Sequence, residues 1–172
     1  MELSEAIRTA LEYEGRVHKT YQDAIAAAVS DAGKRVFKTL CDEEMGHIKY
    51  LRSRLDEWEN TGKITVAKLS TSIPTKASIN EGVKKLQEKI GSEVSNKHDA
   101  ELQFLKKALD VEIETSNFYK EMVRTLDSDG RTMFERFVEI EEGHQAIVQA
   151  ELDMVSGTGF WFDSMEFNLE AE

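Results

Sequence analysis

Glu44-Met45-Gly46-His47 returns as Glu141-Glu142-Gly143-His144, ninety-seven positions further on. Each tetrad lies inside a pattern that steps by three and four residues. The first runs Phe37, Leu40, Glu44, His47, Leu51 and, after a looser step, Trp58; the second runs Phe134, Phe137, Glu141, His144, Val148, Leu152 and Val155. That spacing puts every member of a set on one face of an α-helix. A glutamate and a histidine thus take steps of a stripe that is otherwise apolar, and they are expected to point inward.

Working outward, each tetrad is preceded by a second stripe. Leu3, Ile7, Ala10, Glu14, Val17, Tyr21, Ala24 and Ala28 form one, and Leu105, Leu109, Glu112, Ser116, Tyr119, Val123 and Leu126 the other. Ala10-Leu11-Glu12-Tyr13-Glu14 through Tyr21 reappears as Ala108-Leu109-Asp110-Val111-Glu112 through Tyr119, an offset of 98. The chain is therefore two helical hairpins of one design. The first helix is expected to end near Ser30-Asp31-Ala32-Gly33, and the third to run from about Asp99 to Asp127-Ser128-Asp129-Gly130.

Between the hairpins, after Asn60-Thr61-Gly62, the pattern lapses into a Thr/Ser-rich stretch ending at Pro74, the only proline, followed by a short helical candidate from about Ser78 to Ile90. Some 15 extended residues span roughly 50 Å, and a helix of about 28 residues is roughly 42 Å long. This crossover, at about 60–97, can return the chain to the end where the second helix began. The predicted architecture is all-α: a four-helix bundle over 1–156, then a tail, 157–172. The tail contains Phe160-Trp161-Phe162-Asp163, aromatic enough to be expected to pack on the bundle or on a partner subunit.

At 172 residues the chain suits one domain with a substantial core. Its net charge of −11 argues against nucleic acid and favours cations as partners, although solubility alone also accounts for acidity. Cys41 is the only cysteine, so no internal disulfide and no thiolate zinc site can be built from this chain. The longest apolar run, Ala24 to Val29, falls short of a signal peptide or membrane span, and the expected location is the cytoplasm.

Four carboxylates gathered in a bundle core would repel one another and lose hydration at a cost of several kcal/mol each. Protonation, basic side chains or metal can compensate. No arginine or lysine stands in the stripes near the glutamates, whereas two divalent ions balance four carboxylates and two neutral imidazoles complete the coordination. Residues at i and i+3 lie about 60° apart around a helix and about 4.5 Å apart along it, so one ion reaches both. One Glu from each of two helices with Glu-x-x-His from the other two is the general description of di-iron carboxylate bundles. The candidate metal ligands are Glu14, Glu44, His47, Glu112, Glu141 and His144; the bland alternative is salt-bridged or exposed carboxylates.

With these residues in place, the sequence resembles the ferritin-like superfamily and, within it, the rubrerythrin-related proteins, over most of Glu2 to Val155. The resemblance implies that Glu44 and Glu141 bridge two irons, that Glu14 and Glu112 are terminal ligands, and that His47 and His144 each cap one ion. It also implies a homodimer. Two departures stand out. Rubrerythrins proper often carry a rubredoxin domain with Cys-x-x-Cys pairs, absent here, so electrons must come from an external donor protein. They also carry an additional glutamate three residues after the third-helix ligand, where this chain has Thr115.

Tyr21 and Tyr119, each seven residues after a ligand glutamate, are placed to hydrogen-bond a ligand carboxylate or, more blandly, any buried acceptor. Cys41, with Val138 as its repeat counterpart, is expected to be a small core hydrophobe rather than a redox thiol. His18, matched by Ser116, is assigned to the boundary or surface, and His98 to the surface. The leading expectation is a non-haem di-iron oxidoreductase that reduces hydrogen peroxide or dioxygen, with iron, manganese or mixed occupancy. The alternatives are a ferroxidase or iron-storage protein and a non-catalytic metal-binding bundle.

Overall fold

The computed structural model describes residues 1–89, 99–159 and 161. Five helices follow in order: α1 Leu3–Ala27, α2 Asp31–Thr61, α3 Lys76–Lys89, α4 Asp99–Thr125 and α5 Ser128–Thr158. No strand occurs among the described residues.

The first and third helices end close to the expected turns, at Ala27 and Thr125, but the residues read as stops mostly begin the next helix. Ser30 is the N-cap of α2, its hydroxyl accepting from Gly33 N–H at 3.0 Å, and Asp127 takes the same position before α5. Ser, Asp and Gly clusters serve an N-cap as well as a break, so Asp31–Gly33 and Ser128–Gly130 belong to the second helix of each hairpin. At the far ends, Gly62 (φ 67°) and Gly159 (φ 74°) close α2 and α5 in the left-handed conformation that glycine adopts without penalty. Gly157 lies within α5, so the bundle's last helix overruns the expected boundary at 156. The short crossover helix starts at Lys76, two residues earlier than expected, and Ile90 lies outside the described residues.

Within each hairpin the helices pack on one another; α1 also packs on α4, and α3 on α5. Their relative directions follow from the turns. The amides of Val29 and Ser30, in the α1–α2 turn, donate to the Glu101 carboxylate near the start of α4 at 3.1 and 2.9 Å. A Cβ on Gly130, near the start of α5, would come within 3.0 Å of Leu3. Hence α2 and α4 begin at one end, and α1 and α5 at the other.

Segment 63–75 lacks regular structure but is anchored throughout. Ile64, Leu69 and Ile73 are buried, Tyr50 Oη donates to Ala67 O at 2.8 Å and Arg136 Nε to Leu69 O at 3.0 Å. Backbone groups outside helices still require partners, and these side chains supply them. Of the aromatic tail, Trp161 is buried edge-on against Phe37, with ring centroids 5.3 Å apart, and covers Gly33. Phe160, Phe162 and Asp163 lie outside the described residues.

The apolar core divides into two plugs. Val17, Tyr21, Phe37, Leu40, Leu105 and Val148 belong to the one nearer the α1–α2 turn; Ile7, Ala10, Leu51, Tyr119, Phe134 and Phe137 belong to the other. Between them in every stripe come the ionisable residues.

Candidate metal centre

Glu14, Glu44, Glu112, Glu141 and His144 are fully buried, and His47 is 1% exposed. All six inward placements expected from the stripes are observed. Their donor atoms fall into two sets, Glu14, Glu44, His47 and Glu141, and Glu44, Glu112, Glu141 and His144, within each of which the atoms lie within 4.8 Å of one another. Either set can hold a metal ion. Glu44 and Glu141 are common to both.

Glu44 shows how the sets join. Its Oε2 lies 3.2 Å from His47 Nδ1 and its Oε1 2.8 Å from His144 Nδ1, so one carboxylate faces both histidines. His47 Nδ1 also stands 3.2 Å from Glu14 Oε2 and 3.5 Å from Glu141 Oε1, and His144 Nδ1 3.8 Å from Glu112 Oε1. The imidazoles stack 9° from parallel with centroids 5.3 Å apart.

The tyrosines take the supporting place expected, with an exchange between halves. Tyr21 of α1 donates to Glu112 of α4, and Tyr119 of α4 donates to Glu14 of α1. Burial, and then the carboxylate each one faces, push both phenols well above their ordinary pKa. They remain protonated donors.

The electrostatics are those of a site with surplus negative charge. Burial pushes Glu14 up to about 8, with His47 pulling the other way and Glu44 adding to the rise. Burial followed by repulsion from Glu112, Glu44 and Glu14 drives Glu141 well above the carboxylate range, and burial with Glu44 raises Glu112. Burial also opposes charge on Glu44, but His47 and His144 outweigh it and hold that carboxyl well below its usual value. Burial would lower the imidazoles; Glu14 and Glu44 instead carry His47 to about 10, and Glu44 and Glu43 carry His144 well above its ordinary value. Protons neutralise this cluster when no cation does.

Hydrogen bonds leave much of it unmet. Despite their close ionic contacts, both oxygens of Glu44 and of Glu141, Glu112 Oε2, His47 Nε2 and both His144 nitrogens make no well-formed hydrogen bond among the described residues. Buried polar atoms are ordinarily paired, and orphans of this kind, all oxygen and imidazole nitrogen, form a donor set suited to first-row divalent metals. The residues present fit a metal.

Other residues sort clearly. Thr115 is buried, but its hydroxyl donates to Val111 O at 2.8 Å; it offers no carboxylate where the resemblance would have one. Cys41 is buried in the apolar plug, its sulfur 4.0 Å from His18 O. His18 is half-buried and in neither donor set, and His98 lies outside the described residues. Three buried or half-buried acids were not legible in the stripes as drawn. Glu101 extends the α4 stripe by one step, four residues before Leu105, while Glu151 falls inside the α5 stripe, three residues after Val148 and beside Leu152, and both are buried. Glu43 precedes Glu44 and forms a third close group with His47 and His144; its repeat counterpart is Ile140, so the repeat gave no sign of it.

No family model matches the chain, and no curated protein or solved structure matches it.

Proposed function

We propose that this chain is a ferritin-like, rubrerythrin-related di-iron oxidoreductase that reduces hydrogen peroxide, or dioxygen, with electrons from an external donor protein. The observation that carries the reading is the pair of overlapping donor sets with Glu44 and Glu141 in common. That arrangement matches two ions held side by side, with Glu14 and His47 on one and Glu112 and His144 on the other. An iron pair, when bound, supplies Lewis acidity and two reducing equivalents.

The chain's own contribution is placement. Tyr21 and Tyr119 hold Glu112 and Glu14 in position from across the bundle. The two apolar plugs, with Tyr21, Phe37, Tyr119 and Phe137 fully buried, limit water around the ligands and strengthen every electrostatic contact among them. A homodimer and a cytoplasmic location belong to the same proposal. Among the described residues, no helix is long and apolar enough to cross a membrane.

A ferroxidase or iron-handling role is the second reading, and Thr115 favours it. With its hydroxyl on Val111 O, the ligand set is a symmetric six without the additional glutamate of rubrerythrins. Anaerobic titration of the reduced, iron-loaded protein with hydrogen peroxide separates the two. Consumption of about one peroxide per iron pair is the expected result; slow or absent consumption, with many irons retained per chain after aerobic loading, favours iron handling. Metal analysis of Glu44→Ala and Glu141→Ala beside the parent tests the site itself, and metal content unchanged in both variants would overturn the assignment.

A further inference from the structure

The two halves supply equivalent ligands but unequal surroundings. Behind His144, Glu43 Oε2 lies 3.9 Å from Nε2, the ring nitrogen turned away from Glu44. Glu43 is not free to wander. It accepts from Thr71 Oγ1 at 2.5 Å, from Ser72 N–H at 2.9 Å and from Ser72 Oγ at 2.6 Å, all on the crossover. Ile140, the repeat counterpart of Glu43, is a buried aliphatic residue, and among the described residues the ionic contacts of His47 all fall on Nδ1. Phe137 lies edge-on to the His47 ring, centroids 5.4 Å apart.

A carboxylate at the far nitrogen of a ligating histidine selects the tautomer, orients the ring and raises its basicity, and loss of such a partner typically costs 10- to 100-fold in metal affinity. Among the described residues, only the His144 ring has one within ionic reach. From this asymmetry we infer that Glu43, clasped by Thr71 and Ser72, is a positioning residue for His144, and that the two metal positions fill in order, the His144 position first. The inference rests on the dinuclear reading above. It goes beyond that reading because the repeated ligands alone predict two equal positions. The crossover, through Thr71 and Ser72, thereby sets the affinity of one position.

Anaerobic titration of metal-free protein with Co(II), followed by its visible absorption and by calorimetry, tests this. The parent is expected to bind two ions in two resolved steps. Glu43→Gln, which keeps a side chain of the same outline without the charge, is expected to weaken the tighter step about ten-fold or more, leaving the weaker step and the helical circular dichroism unchanged; Glu43→Asp should recover part of the loss. His144→Ala should remove the tighter step and His47→Ala the weaker one. Two equal steps in the parent, or Glu43→Gln affecting both steps alike or neither, overturns the order while leaving a dinuclear site standing. Loss of a whole ion in Glu43→Gln overturns the positioning role by making Glu43 a ligand. If the parent binds no Co(II), the dinuclear reading itself falls.

Discussion

At the residue scale, the buried acids and imidazoles make proton balance the dominant variable. Glu14 near 8 and His47 near 10 both retain protons at neutral pH in the metal-free protein. A metal must displace those protons. Co(II) affinity is therefore expected to rise between pH 6 and pH 9, with proton release measurable in weakly buffered solution; an affinity flat across that range would remove these groups from the ligand set. The same shifts govern metal-free stability. Glu14 rises from 4.5 and His47 from 6.5 on folding, so the native state binds more protons than the unfolded one between those values. Stability must then fall as pH climbs from about 5 towards 10, a slope that urea unfolding at several pH values will read. Tyr21→Phe and Tyr119→Phe each strip a buried carboxylate of its donor. Each is expected to cost about 1–3 kcal/mol by denaturant unfolding.

At the scale of elements, the helices were legible because an apolar period of three and four residues survives over each of them, and the second hairpin repeats the first. The six candidate ligands were legible for the same reason, as ionisable residues standing at steps such as Glu44 and Glu141 where an apolar one belongs. Glu101 and Glu151 stand on that period and were passed over, while the rest of what escaped had no period to betray it. Ser30 and Asp127 look alike as breaks and as caps, and Glu43 is matched by Ile140. The course of 63–75 depends on contacts from Tyr50, Glu57 and Arg136 on other elements. The two repeated glycines show how such contacts divide equivalent positions. A Cβ on Gly143 would lie 2.9 Å from Pro74 O, while one on Gly46 meets nothing within 4 Å. Gly46→Ala is expected to raise stability by about 0.5–1 kcal/mol through helix propensity. Gly143→Ala should lower it by about 1–3 kcal/mol, because backbone must move. Thermal melts of the two variants should shift in opposite directions.

At the scale of the whole molecule, two apolar plugs surround a polar layer that cations would bind only in the folded state. Metal removal by a chelator is expected to lower the melting temperature, and free metal at 100 times the dissociation constant of a position to restore about 2.7 kcal/mol for the ion bound there. Calorimetric scans with and without metal check this, and in Glu44→Ala the difference should shrink. Trp161, buried on Phe37 and Gly33, joins the chain beyond α5 to the plug nearest the α1–α2 turn. Trp161→Ala is expected to cost about 3 kcal/mol by urea denaturation.

The exchange of tyrosines between the hairpins bears on how such a molecule could have been assembled. One hairpin alone has a glutamate whose phenol partner lies in the other, and the α1–α2 turn draws the acceptor for its amides, Glu101, from α4. A half-length precursor carrying one Glu and one Glu-x-x-His would have been a complete protein only as a pair of identical chains, each guarding its neighbour's carboxylate. Fusion through the crossover would then have converted a meeting of two molecules into an event within one. It would also have freed the copies to differ, and Glu43 with Ile140 at the matching position is such a difference beside the candidate centre.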